Sequence, residues 1–215
     1  LTPNMYGGNI RLNFHDERQS YLSFLPIDGS YTYELDKEKN ILRQTHLSDY
    51  SRRENDAEHA WHMALMVFLL QEYADEPFDV SRAMMMALIH DVVEIDAGDT
   101  YAYDEEAKKT QAEREAKAAE RIFGLLPDDQ RDELRALFEE YEAQETPEAH
   151  IVRSMDSLQP LLLNDKTEGR DWRSHGVRMA QVIKRQEPGR LGSEKIFEFS
   201  KALIERNVEE GKIAK

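Results

Sequence analysis

The chain contains no cysteine. That absence removes disulfides, thiolate nucleophiles and zinc-finger frameworks together, and it fits a reducing, cytoplasmic setting. Any metal must therefore bind through nitrogen and oxygen. Long apolar runs are missing as well. The longest, MALMVFLL (63–70), falls far short of the roughly 20 residues a membrane-spanning helix needs. The first stretch, LTPNMYGGNIRLNFHDERQ, lacks the apolar core of a signal peptide, and residues 1–30 read as an extension of uncertain structure. Basic residues are in deficit, 28 against 43 acidic, for a net charge of −15. This opposes binding to polymeric nucleic acid or an anionic membrane, whereas a small anionic substrate stays compatible because a local cluster can outweigh the global field.

What is present is a globular composition: 215 residues, 40% hydrophobic and 33% charged, enough for one substantial core over 31–215. The patterning is helical nearly throughout, and an all-α bundle of about seven to eight helices is expected, with no convincing strand. YTYELDKEKNILRQTHL (31–47) predicts a first helix, and 47–56 a polar loop. Asn55 and Glu58 stand at capping-box spacing before the next helix. Pro77 separates this from a helix over about 80–97 that stops at Gly98. Further helices are expected over 105–123, from Pro127 onward, and after the Thr146–Pro147 cap, where Pro160 should kink or break the last turns. Two more follow, at about 172–186 and 194–210, the last capped by Ser193.

The stretch MALIHDVVEIDAGDTY (86–101) sets ionisable residues into an apolar helix, where unpaired charge is costly. Glu94 lies four residues after His90 and three after Asp91, so helical spacing lets the three converge. His59 directly precedes a core-forming run, and Asp156 interrupts IVRSMDSLQPLLL. Two neutral imidazoles and two carboxylates would balance one divalent cation and leave positions open for water and substrate. Taken singly, His59 and Asp156 read more often as satisfied core residues than as ligands. The same holds for His62 and His150. The acids at 91–104 do not follow the alternating spacing of a calcium loop.

The ordered set His59, His90–Asp91, Asp156 resembles the HD-domain phosphohydrolase superfamily. With the flanks RRENDAEHAWHMAL (52–65), ALIHDVVEIDAGDTY (87–101) and EAHIVRSMDSLQ (148–159), it is most similar to the 5′-deoxynucleotidase branch, over roughly 35–165. The resemblance implies that these four residues hold one divalent metal ion (Mn, Co, Zn, Fe, Ni or Mg). It further implies that Glu94 and Asp99 act in turnover and that an arginine of the first helix region, here Arg43 in ILRQT, contacts the substrate phosphate. The Arg-Trp pair of some relatives is absent.

From the charges alone, a divalent metal would lower the pKa of bound water and polarise a phosphoryl oxygen. Glu94 would orient that water or take its proton, and Asp99 would approach from the loop side. Arg43, Arg52 and Arg53, nearest in sequence to His59, would offset phosphate charge. The expected reaction is phosphate monoester hydrolysis, with a deoxynucleoside 5′-monophosphate as substrate. Other phosphate esters or phosphodiesters, a metal-stabilised scaffold and a metal-free interaction module remain open, and a homodimer is compatible with each.

Overall fold

The computed structural model describes residues 30–215, so the expected extension lies, but for Ser30, outside the described residues. The architecture is a helical bundle with one small hairpin. In chain order the elements are α1 (Ser30–Asp36), β1 (Leu42–His46), β2 (Arg53–Asn55), α2 (Asp56–Leu70), α3 (Val80–Ile89), α4 (Glu94–Ala97) and α5 (Gln111–Phe123). They continue with α6 (Asp128–Ala143), α7 (Pro147–Lys166), α8 (Arg170–Ser174), α9 (Met179–Gln186) and α10 (Glu194–Glu209).

The expected 31–47 helix is the main correction. It ends at Asp36, a 3-10 turn follows over Lys37–Asn40, and Leu42–His46 pairs antiparallel with Arg53–Asn55. Local propensity there favoured a helix, but pairing across the Leu47–Arg52 turn and the pull of buried carboxylates on Arg43 outweigh it. The hairpin is short and its register irregular between the pairs Leu42–Asn55 and His46–Arg53. Asp171 of α8 ties it down by accepting from the His46 backbone N–H at 3.0 Å.

The helix caps follow their local chemistry. At α2, Glu58 N–H donates to Asn55 Oδ1 (2.9 Å) and Asn55 N–H to Glu58 Oε2 (3.2 Å), a complete capping box. Thr146 and Ser193 cap α7 and α10. Pro127 sits one residue ahead of α6 rather than in its first turn. The expected 80–97 helix is interrupted after Ile89. Its backbone tightens to bonds three residues apart, Glu94 N–H to Asp91 O (2.8 Å) among them, before Gly98 ends α4 at φ +74°. The 105–123 segment becomes helical only at Gln111, after a 3-10 turn, and 172–186 divides into α8 and α9.

α7 is the central rod. It presents Ile151, Val152, Met155 and Leu158 to a core shared with Met63 and Val67 of α2, Met86 of α3, Ile122 and Phe123 of α5, and Trp172. Pro160 does not break it; the helix continues to Lys166. Proline lacks an N–H, so the Asp156 carbonyl loses its usual donor. Arg185 Nη2 stands in its place at 3.4 Å. Among the described residues, no helix is long and apolar enough to cross a membrane.

Candidate metal centre and its cavity

The inner face of α2 buries His59 completely. Across from it, the tightened turn after α3 presents His90 and Asp91, and α7 presents Asp156. One ligand atom from each of His59, His90 and Asp91 lies within 4.8 Å of the other two. Asp156 stands outside that trio but next to it, its Oδ1 3.4 Å from His59 Nε2.

Both imidazoles are prepared in the same way. His59 Nδ1 faces Gln159 Oε1 at 3.0 Å, and Gln159 Nε2 donates to Glu54 Oε1 at 2.6 Å. That second bond fixes the amide, so its oxygen faces the ring and the proton of His59 sits on Nδ1. His90 Nδ1 faces the Ala87 carbonyl at 2.8 Å and must likewise be the donor. In the neutral rings the buried Nε2 atoms then carry the lone pairs, His59 Nε2 facing Asp156 Oδ1 at 3.4 Å and His90 Nε2 facing Asp91 Oδ1 at 3.1 Å. Backing of one ring nitrogen by an amide or carbonyl with the other left free is how metal-ligating histidines are held. The donor set fits a divalent cation of the nitrogen–oxygen type.

A second trio, Asp56, Glu94 and Asp99, also has ligand atoms within 4.8 Å of one another. Here a side chain already supplies positive charge. Arg43 Nη1 donates to Asp56 Oδ1 (3.1 Å) and Asp91 Oδ2 (2.8 Å) and lies 3.9 Å from Asp99 Oδ1. The arginine expected at the substrate phosphate is therefore drawn into the acids. Arg52 and Arg53 are exposed, and neither lines the cavity; Arg52 pairs with Glu58 on the outer surface (Nη1 to Oε2, 2.8 Å).

The electrostatics follow from burial and neighbours. Burial, then Arg43, lowers His59 to about 4, so it is neutral. Burial also pulls on His90, but Asp91 beside it more than offsets this and leaves its pKa raised. Asp91 is depressed despite its burial, chiefly by His90 and Arg43. Burial raises Asp156, but Arg185 and Arg153 outweigh it and hold the carboxyl well below the usual carboxylate range. Glu94 goes the other way, raised well above its ordinary value by burial and then by Asp91 and Asp56, and its Oε2 has no partner. Asp99 is raised mainly by burial.

Above these groups opens a cavity of about 420 Å³, lined by Asp91, Glu94, Asp99 and Asp156 and by Arg153, Arg185 and Lys108. Tyr101, Tyr103 and Trp172 form an apolar flank. Sequence reasoning missed Glu38, Glu54, Asp56, Gln159 and the two arginines. For Asp56 and Glu54 the signal was present, since both sit in RRENDAEH beside His59. Nothing local marks Arg185.

Comparison with known proteins fits this geometry. The HD domain family model matches residues 35–196, and the chain belongs to that family. A solved structure described as a predicted metal-dependent phosphohydrolase from Magnetospirillum magnetotacticum MS-1 is 52% identical, with a TM-score of 0.82 over 86% of this chain and 93% of that one. A human protein named 5′-deoxynucleotidase HDDC2 is 35% identical over 111 residues, 52% of this chain and 53% of that protein. A Schizosaccharomyces pombe protein named 5′-deoxynucleotidase hdd1 is 27% identical over 110 residues, 49% of this chain and 54% of that protein. The chain thus spans about half the length of the curated relatives it matches. A conserved hypothetical protein from Pyrococcus furiosus, 23% identical, shares the fold at a TM-score of 0.59, over 82% of this chain and 98% of that one.

Without metal the buried acids make stability depend on pH. Burial and Asp91 push Glu38 up to about 8; burial pushes Glu54 up to about 7; burial and Asp91 push Asp56 up to about 7. Unfolded carboxyls titrate near about 4, so between that point and about 8 the native state binds protons that the unfolded state has released. Stability is then full at the acidic end of this window and lost as pH rises through the folded values. Asp91 and Asp156, shifted oppositely, matter only below it. Chelator-treated protein should melt at a lower temperature at about pH 8 than at about pH 5.5, and added Mn²⁺ should narrow the gap because a cation favours ionised carboxylates. Equal melting temperatures in metal-free buffer would contradict this assignment.

Proposed function

We propose that the chain is a divalent-metal-dependent phosphomonoesterase acting on deoxynucleoside 5′-monophosphates in the cytoplasm. One observation carries the reading: the buried imidazoles of His59 and His90 turn their Nε2 atoms toward Asp156 and Asp91, and His90, Asp91 and Asp156 line the cavity. The similarity to metal-dependent phosphohydrolase and 5′-deoxynucleotidase proteins supports it and directs the choice of substrate.

His59, His90, Asp91 and Asp156 would hold the metal, which when bound supplies Lewis-acid polarisation of the phosphoryl group and a nucleophilic water near neutral pH. The protein residues do the rest. Gln159 and the Ala87 carbonyl keep the imidazole protons away from the metal side. Glu94, buried and holding a proton readily, is placed to exchange that proton with the attacking water or the leaving oxygen. Asp99, carried past the Gly98 turn, faces the same space from the loop. Tyr101, Tyr103 and Trp172 offer a surface against which a nucleoside can pack. A scaffold would need neither Glu94 nor an open cavity.

We also propose a homodimer. Trp61, Leu65 and Phe68 share one exposed face of α2 by helical spacing, and Met85 and Leu88 are exposed on α3, which packs against it. A second copy is the occupant that buries these side chains. Light scattering should give a dimer for the parent chain and a monomer for Phe68→Glu; a monomeric parent chain would refute it.

Three further outcomes are expected. His59→Ala or Asp91→Ala should abolish stoichiometric Mn²⁺ binding measured by calorimetry and lower the melting temperature of the metal-loaded protein; full occupancy in both would remove these residues from the ligand set. Phosphate release, measured after chelation and metal re-addition, should be faster from deoxynucleoside 5′-monophosphates than from di- or triphosphates, cyclic dinucleotides or single-stranded DNA. On the same preparation, Glu94→Gln should keep its metal and lose about two to four orders of magnitude in turnover, the usual scale for a positioned acid or base. Undiminished turnover with metal retained would exclude the role given to Glu94.

A further inference from the structure

A phosphate monoester dianion entering this cavity meets Asp91, Glu94, Asp99, Asp156 and Asp171 in its walls. It needs fixed positive charge beyond one metal ion. Arg43 also lines the cavity, but its guanidinium is shared with Asp56, Asp91 and Asp99. Another part of the wall is built differently. Arg153 of α7 and Arg185 of α9 both donate to one carboxylate oxygen, Asp156 Oδ2, at 3.1 and 2.8 Å. Two guanidinium charges face Asp156, and the other acid near Arg153, Glu142, is pushed by burial toward its neutral form although Arg153 opposes this, so positive charge is left over. Lys108 lines the same cavity, and its pKa is lowered by burial and by the nearby cations Arg185 and Lys184, although Glu105 works against this.

The pair is also held in place. Arg153 stacks on the Tyr141 ring, 4.5 Å from its centroid. Arg185 reaches the Asp156 carbonyl that Pro160 deprives of a helical donor. Each side chain keeps 22% exposure, at the cavity wall rather than in bulk solvent. Planar guanidiniums fixed in this way match the paired oxygens of a phosphoryl group.

We infer that Arg185 and Arg153 form the phosphate-gripping wall of the site, the residues that bind the substrate's phosphoryl oxygens next to Asp156. This inference rests on the phosphomonoesterase reading. It gives α9, in a part of the chain without any motif, a direct role in substrate binding. The pair acts by binding and carries no proton.

The test uses Arg185→Met, Arg153→Met and Arg185→Lys in the Mn²⁺-loaded full chain, with inorganic phosphate as the calorimetric probe and metal binding titrated separately. At saturating Mn²⁺ each methionine variant should bind phosphate about tenfold to a hundredfold more weakly, the range for losing a hydrogen bond between charged groups. KM for a deoxynucleoside 5′-monophosphate should rise by a similar factor, more than kcat falls, and Arg185→Lys should recover part of the loss. Two results would overturn the inference: unchanged phosphate affinity in both methionine variants, or a loss that saturating Mn²⁺ fully reverses, which would leave the arginines as supports of Asp156 only. Melting curves confirm folding, and the lysine variant carries the test if Arg185→Met is unfolded. A parent chain that binds phosphate in an Arg185-dependent way yet hydrolyses no monoester would refute the phosphomonoesterase reading and leave the phosphate wall standing.

Discussion

One guanidinium holds the acidic side of this molecule together. Arg43 lies among Asp56, Asp91 and Asp99, and through them joins the hairpin, the start of α2 and the turn after α3. Unpaired carboxylates at such depth would cost several kcal/mol each or else take up protons. Arg43 offsets only part of that cost. Asp56 and Glu94 are still displaced toward the neutral form, so the site is under electrostatic strain that a bound cation relieves.

The same economy governs the histidine side. Gln159 is fully buried on α7, and its amide is oriented by Glu54 in the middle of β2. That orientation decides which nitrogen of His59 carries the proton. A helix, a strand and a second helix are thus committed to one tautomer. Asp156 faces the opposite problem, because three donors, Tyr141, Arg153 and Arg185, compete for its Oδ2 while its Oδ1 remains toward His59. One oxygen is anchored and the other kept for the centre.

Membership in the HD-domain family accounts for the bundle and for the order of the polar residues along it. Acids withdrawn from solvent are numerous here. Seven carboxyl groups among the described residues, from Glu38, Glu54, Asp56, Glu94, Asp99, Glu115 and Glu142, are shifted upward chiefly by burial, in a protein whose net charge is already −15. An anionic substrate approaching that surface depends on local cations, and Arg153, Arg185 and Lys108 line the cavity.

The sequence by itself determined the helical class, several helix ends and the ordered appearance of His59, His90–Asp91 and Asp156. Caps and breakers act within a few residues, and an ionisable pair inside an apolar run is visible without knowing what packs on it. The capping box at Asn55 and the stop at Gly98 are of this kind. Only the tertiary structure decided the rest. The 42–46 segment became a strand because its partner lies across a turn, and Arg43 is held among three acids that converge on it only in the folded chain. Pro160 kept its helix because Arg185, 25 positions on, serves the orphaned carbonyl nearby. Local propensity is written in neighbouring residues, whereas charge compensation depends on distances that exist only after the chain has folded.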